Sequence, residues 1–319
     1  MIPSKERGTA LLSVLLIVAV MAAIAATALD RLGLSTRLAG NAVVATQGRH
    51  WLTMAEELAQ ARITDAAELS GADQAALLGV ERSITLPDGQ IVTARLEDAT
   101  NCFNVNSMVR RRQTGVLQSQ ARRVFQLRDL FIILGLPEGR SQQLADAMGD
   151  AIDDDRNPRP LGSERLADGA PVPDRLLTSA DELAGIEGMD AEYWSRIRPY
   201  LCALPSTDPT PINVETLSPD RAALLAMLAP EQISLADATA QLEARPASGF
   251  GSVVDFWETG PLRGRDIQGS RDNQVVVETR FFRLVTRVGE GDTELRQEAL
   301  FSVEDGRAIL HARRWGSTS

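Results

Sequence analysis

At 319 residues, with 44% hydrophobic and 24% charged side chains, the chain is long enough for about two packed domains and too apolar to be broadly disordered. Its formal net charge of −10 works against a nucleic-acid partner, because the overall field repels phosphate. Two cysteines, Cys102 and Cys202, and two isolated histidines, His50 and His311, do not make a structural zinc ligand set.

The chain opens with a short charged leader, Met1 to Gly8, carrying Lys5, Glu6 and Arg7. A 21-residue run from Thr9 to Leu29 follows with no ionisable side chain, long enough to cross the hydrocarbon core as a helix. Lys5 and Arg7 orient the N-terminus toward the cytoplasm and the bulk of the chain to the far side. Three readings fit: a processed assembly helix, a plain single-span anchor, or a secretory signal cut at a small-residue site such as Ala26-Thr27-Ala28. A secretory apolar region is usually shorter than this one. Gly8, between charged leader and apolar helix, resembles the processing site of type IV prepilins and pseudopilins, where the leader is removed and the helix retained. With no proline between Pro3 and Pro87, the helix is expected to continue to about Ile63, with Leu52, Ala55, Ala59 and Ile63 on one face. Gly33, Gly40 and Gly48 are its expected weak points.

Arg82 to Asp98 reads as a β-hairpin around Pro87-Asp88-Gly89-Gln90, with Val92, Ala94 and Leu96 alternating against Ile91, Thr93, Arg95 and Glu97. From about Val109 to about Trp257 helical patterns dominate, over 124–134, 141–152, 179–186, 191–201, 220–228 and 234–244, with Pro and Gly turns between them. Strands return over 275–277, 280–288 and 295–303, with Gly289-Glu290-Gly291-Asp292 as a hairpin loop and 307–315 as a further strand. The early strands are too few for a sheet, so the late ones are expected to join them. The expected organisation is a leader (1–8), a membrane and assembly helix (9–29), an α+β head (30–108 with 270–319) and an inserted helical domain (109–269). In the cytosol Cys102 and Cys202 would be two thiols. In an oxidising compartment they could form one disulfide, closing a loop of about 100 residues and contributing up to about 4.7 kcal/mol in the chain-entropy description.

This order of long helix, strands, helical block and strands resembles a type IV pilin-like head, its long helix packed on an antiparallel sheet, with a large all-helical insert. Over its whole length the chain is similar to the K-type minor pseudopilins of the type II secretion system (the GspK family). The resemblance implies a prepilin-peptidase cut between Gly8 and Thr9, methylation of the new Thr9 amine, and a single-pass inner-membrane protein with a periplasmic head. It also implies a tip complex with I- and J-type minor pseudopilins above a major pseudopilin. Ser13 stands where most pilins and pseudopilins carry glutamate. A carboxylate at the bilayer centre costs about 2.5–3.5 kcal/mol and needs a partner, assigned in the family to the neighbouring subunit's α-amine. K-type pseudopilins lack that glutamate, which implies a tip position for a chain with Ser13.

Asp153, Asp155 and Asn157, with Glu164 at the twelfth position, match the oxygen-ligand frame of an EF-hand loop. Pro158 replaces the glycine of that frame, and no EF-hand helix pair flanks it. A solvated acidic helix end is the plainer reading. The family resemblance implies a calcium-binding acidic loop, carried over to Asp153, Asp155 and Glu164, with Asp150 and Asn157 as further ligands. Hard oxygen donors in the periplasm favour Ca²⁺ over Mg²⁺. Leu183 to Met189, Pro211 to Thr216 and Gly249 to Val253 resemble helix-hairpin-helix units. Asp190 and Glu192 beside the first are adverse to phosphate, so these units read as packing and protein-contact elements. No catalytic residue is assigned: no phosphate loop, HExxH or nucleophile motif with a nearby histidine occurs, and the chain is not expected to be an enzyme. The alternatives are a membrane-anchored nucleic-acid binder using the hairpins and a secreted soluble protein cleaved near Ala28.

Overall fold

The computed structural model describes residues 4–265, 274–289 and 294–317. It opens with α1 (Ser4–Glu68), one helix of 65 residues and about 98 Å at 1.5 Å per residue. The three glycines leave it unbroken, and it runs past the expected end at Ile63. Then come α2 (Gly71–Leu77), β1 (Glu81–Thr85) and β2 (Ile91–Asp98), the last two forming the expected hairpin. The middle of the chain contributes β3 (Phe103–Asn104), β4 (Val109–Arg111), β5 (Leu117–Ser119), α3 (Ala121–Ile133) and α4 (Glu138–Asp150). It continues through α5 (Ala191–Ile197), β6 (Leu201–Cys202), β7 (Ile212–Asn213), α6 (Ala223–Ala226), α7 (Leu235–Glu243), α8 (Val253–Glu258) and β8 (Val275–Val276). Finally β9 (Phe281–Val288), β10 (Leu295–Glu304) and β11 (Arg307–Ser317) return to the head.

The head is a five-stranded antiparallel sheet in the order β1-β2-β9-β10-β11, so the late strands do join the early hairpin. One face of α1 packs on it. Leu52, Ala55, Ile63 and Ala66 are fully buried there and Ala59 nearly so, against Val92, Ala94, Phe282, Leu284, Ala299 and Phe301. Small residues on this stripe let helix and sheet approach closely. Gly48 begins it: a Cβ there would collide with the Leu295 side chain. N-terminal to this point the helix leaves the sheet, and every large apolar residue from Leu11 to Val44 is exposed.

A second, larger core holds the inserted domain together, from Phe103 on β3 to Val275 on β8, around Leu127, Leu130, Phe131, Leu144, Met148 and Leu224. Several expected helices are shorter or of another kind. Residues 180–185 form a 3-10 helix, and the expected helix over 191–201 ends at Ile197, followed by a 3-10 turn and β6. Pro199 explains the second case, since it lacks the donor that would continue an α-helix. The insert is also not purely helical, because β3 pairs with β6, β4 with β5, and β7 with β8. Residues 275–276, expected to belong with the late strands, lie beside Ile212 and Asn213 instead of in the main sheet. The expected loop at Gly289 to Asp292 falls mostly outside the described residues.

One half-buried ion pair ties α1 to the edge strand β11. Glu56, only 4% exposed, accepts hydrogen bonds from Arg313 Nε (2.8 Å) and Nη2 (2.6 Å) and from Gln297. Removing Arg313 alone would leave the Glu56 carboxylate buried without its cation, which costs more than removing both charges. We expect Arg313→Ala to lower unfolding stability by about 2–3 kcal/mol, and the double change Glu56→Leu with Arg313→Leu to cost less, as read by chemical denaturation of the detergent-solubilised protein.

Candidate metal centre

The acidic segment lies where α4 ends and a long irregular stretch begins. Asp150 is the last residue of α4 and Asp153 sits one turn on, both almost fully buried. The chain then loops out and returns, bringing Glu164 back to them. Ligand oxygens of Asp150, Asp153 and Glu164 all lie within 4.8 Å of one another. Gly162 permits the return, because a Cβ there would collide with the Asp150 carboxylate. Asp155 and Asn157 are exposed on the outward loop, where Asp155 Oδ1 accepts from the Asn157 amide at 2.9 Å. The ligand set is therefore not the EF-hand frame, and no helix follows the loop before residue 180.

Two residues of the site escaped sequence reasoning. Arg159 pairs with Asp150 and reaches Asp153 Oδ2 at 3.2 Å, supplying one positive charge to the cluster. Asp174, in the left-handed region at φ 49°, adds a further carboxylate near Glu164. Spacing could not reveal either, because the fold of the loop brings them in. Asp153 Oδ1, Glu164 Oε1 and Asp174 Oδ1 are buried oxygens with no hydrogen-bond partner. Burial raises the pKa of Asp150 and of Glu164, and pushes Asp153 up to about 7. One guanidinium does not balance this set. Several orphaned oxygens around an excess of negative charge fit a hard cation with oxygen ligands, with Asp150, Asp153 and Glu164 as the residues that would hold it and Asp174 adding negative charge beside Glu164.

The sign of the pH dependence follows from the raised Asp153. Its folded pKa of about 7 lies above the ordinary 3.8, so its contribution is fully present below 3.8 and is lost as pH rises through 7. In chelator, thermal stability should therefore fall across that window, by up to about 4 kcal/mol for this group. Asp153→Asn should flatten the slope, as read by melting curves across the pH range.

The other sequence-predicted positions are placed as follows. Gly8, Thr9 and Ser13 all lie within α1, and Ser13 is exposed. Cys102 and Cys202 are joined in a disulfide, with Cα atoms 5.7 Å apart across 100 residues of sequence. It packs with Leu204 against Phe281 and Leu300, where insert meets head. The hairpin before α5 backs onto α4, since Arg140 and Gln143 lie where a Cβ of Gly188 would point. Asp190, adverse to phosphate, caps α5 by accepting from the Tyr193 amide at 2.7 Å. The hairpin at Gly249 closes on Glu215 and leads into α8, capped by Ser252.

Comparison with known proteins places the chain. Two family models described as type II secretion system (T2SS), protein K match it, over residues 101–206 and 212–278. Type II secretion system protein K of Klebsiella pneumoniae is 33% identical over 324 residues, covering 98% of this chain and 97% of the relative. The protein K of Pseudomonas aeruginosa is 30% identical, covering 98% and 93%. Among solved structures, a chain of the GspK-GspI-GspJ complex from the enterotoxigenic Escherichia coli type 2 secretion system matches in fold. Its TM-score is 0.72 at 24% identity, covering 86% of this chain and 97% of that one. With its apolar N-terminal helix, pilin-like sheet and helical insert, the chain belongs to the type II secretion system protein K family, the K-type minor pseudopilins.

Proposed function

We propose that this chain is a non-enzymatic tip subunit of the periplasmic pseudopilus, anchored by α1 in the inner membrane with its N-terminus cytoplasmic. The observation that carries this reading is the division of α1. Its C-terminal part is buried on the sheet, while its large apolar residues from Leu11 to Val44 have no cover within the chain. The first part of that exposed stretch suits lipid, and the remainder suits neighbouring helices of a fibre. Ser13 in place of an acid leaves no carboxylate to pair with the amine of a subunit above, which suits the outermost position. The fold similarity to a chain of a GspK–GspI–GspJ complex supports I- and J-type minor pseudopilins as neighbours. The Cys102–Cys202 disulfide supports an oxidising compartment for the head. Mass spectrometry of the membrane-extracted protein should find Thr9 as the first residue, with a methylated amine. Retention of Met1 in cells with an active prepilin peptidase would overturn the processed-pseudopilin reading.

The buried carboxylates at the end of α4 are proposed to hold Ca²⁺, supported by the orphaned oxygens of Asp153, Glu164 and Asp174. Calcium should raise the melting temperature by several degrees over chelator, and Asp153→Ala should abolish the gain. Identical melting curves with calcium and with chelator would remove the site.

A further inference from the structure

The acidic cluster at the end of α4 already holds one cation, the guanidinium of Arg159, and the chain builds a seat for it. Gly149 opens the space, since a Cβ there would collide with that guanidinium. Arg159 Nη1 donates to Asp150 Oδ1, and Nη2 donates to Asp153 Oδ2 at 3.2 Å. The backbone amide of Arg159 donates to Asp150 Oδ2 at 3.0 Å, so both oxygens of that carboxylate accept from this one residue. Nη1 also reaches the Asp146 carbonyl at 3.5 Å. The arginine side chain is only 15% exposed, unlike the loosely held partner of a surface ion pair. Two of the three carboxylates are thus bridged by a fixed positive charge. Asp153 Oδ1 and Glu164 Oε1, also buried, are left without a donor.

We propose that Arg159 is a tethered competitor of Ca²⁺, which makes the site select divalent over monovalent cations and sets the calcium level at which it fills. This role rests on the calcium reading of the cluster given above. Oxygens of Asp150, Asp153 and Glu164 lie within 4.8 Å of one another. An ion that engages all three must therefore take the two carboxylates that the guanidinium bridges, and two cations on the same carboxylates repel. A monovalent ion would replace one positive charge by another and forfeit the charge-assisted hydrogen bonds of the guanidinium. A divalent ion brings one charge more, which offsets that loss. The donorless oxygens of Asp153 and Glu164 offer it contacts that the arginine does not use. A competitor on the same chain weakens binding by the fraction of time its seat is empty. A guanidinium seated about nine-tenths of the time weakens the apparent affinity about tenfold. Without calcium the same arginine keeps the carboxylates from forcing the loop open, so the site stays folded while it waits.

The test is calcium titration of the detergent-solubilised full chain by isothermal calorimetry, at about pH 8 where carboxylates are ionised. Arg159→Met, which keeps the aliphatic bulk, should bind Ca²⁺ about tenfold tighter than the parent or more. In chelator it should melt several degrees lower, because Asp150 and Asp153 lose their counter-charge. Sodium chloride at about 0.1 M, compared with tetramethylammonium chloride at equal ionic strength, should raise the melting temperature of Arg159→Met in chelator and leave the parent unchanged. Gly149→Ala, which crowds the seat and leaves every charge in place, should also tighten calcium binding. An arginine that merely positions the carboxylates gives the opposite sign, weaker calcium binding in Arg159→Met. That result, or an unchanged constant, overturns the proposal. If Arg159→Met does not fold, parental affinity in Gly149→Ala overturns it instead. Absence of calcium binding in the parent and in both variants removes the calcium site itself, whereas the preceding outcomes remove only the role of Arg159.

Discussion

The pairing of β2 with β9 is the constraint on which this structure depends. Thr93 to Asp98 lie against Arg287 to Phe282, so everything between must leave and re-enter the sheet at one end of two neighbouring strands. Bringing such distant residues together has an entropic cost, though it grows only logarithmically with loop length. The two ends of the insert are therefore tied down by directional bonds. Asp98 Oδ2 accepts from Asn213 Nδ2 at 2.8 Å and Thr216 Oγ1 at 2.6 Å. Asn101 and Asn213 bond one another in both directions, side chain to backbone. On the return path, Gln74 of α2 accepts from the Thr279 amide and donates to the Thr279 and Ala66 carbonyls. With the disulfide added, the insert is a rigid continuation of the head.

That rigidity divides the sheet between two tasks. Its α1 face is mostly apolar and receives small residues of the helix, which approaches closely enough to bury a stripe that begins at Gly48. The opposite face is only partly covered, by the disulfide and its surroundings over Phe281 and Leu300. The uncovered part is a ladder of arginine and glutamate. Glu97 lies between Arg95 and Arg283, and Arg287 pairs with Glu81. Exposed pairs of this kind contribute little to stability. Their presence on a face that could have been covered by apolar packing is better understood as keeping that face soluble and available.

Local signals were legible where a single element decides its own structure. Val92 and Ala94 point inward as their alternation requires, and Leu52 to Ile63 are buried as helical spacing requires. Legibility failed where the tertiary context chooses. Ser179 and Glu182 form a capping box, a helix-start signal, yet the segment is 3-10 and ends at Gly185. Ala167 takes the Gly185 carbonyl and Leu166 bridges Ile186, which draws the chain into another ladder. Val275 and Val276 have strand composition, but their neighbour is β7, which no periodicity could name. At the acidic site, spacing singled out Asp153 and Glu164 but also Asp155 and Asn157, since a linear motif cannot say which carboxylates a loop folds inward. Arg159 and Asp174 were invisible for the converse reason.

Residues 151–179 bear on the proposed cation beyond its candidate ligands. A stretch of that length without helices is unusual inside a packed domain, because its backbone groups must find partners piecemeal. Here they do so through a few side chains: Asp154 caps the Leu117 amide at 2.7 Å, and Asn106 holds both the amide and the carbonyl of Leu177. Between those two anchors the loop turns on Gly162 against Asp150 and is held there by Arg159, while unpaired oxygens remain. A divalent ion would cross-link the end of α4 to the returning chain where carboxylates of the protein repel one another. The next residues onward, Thr178 and Asp181, are those that Arg314 of β11 grips. Ordering of the loop would thus reach Thr178 and Asp181, which stand against β11.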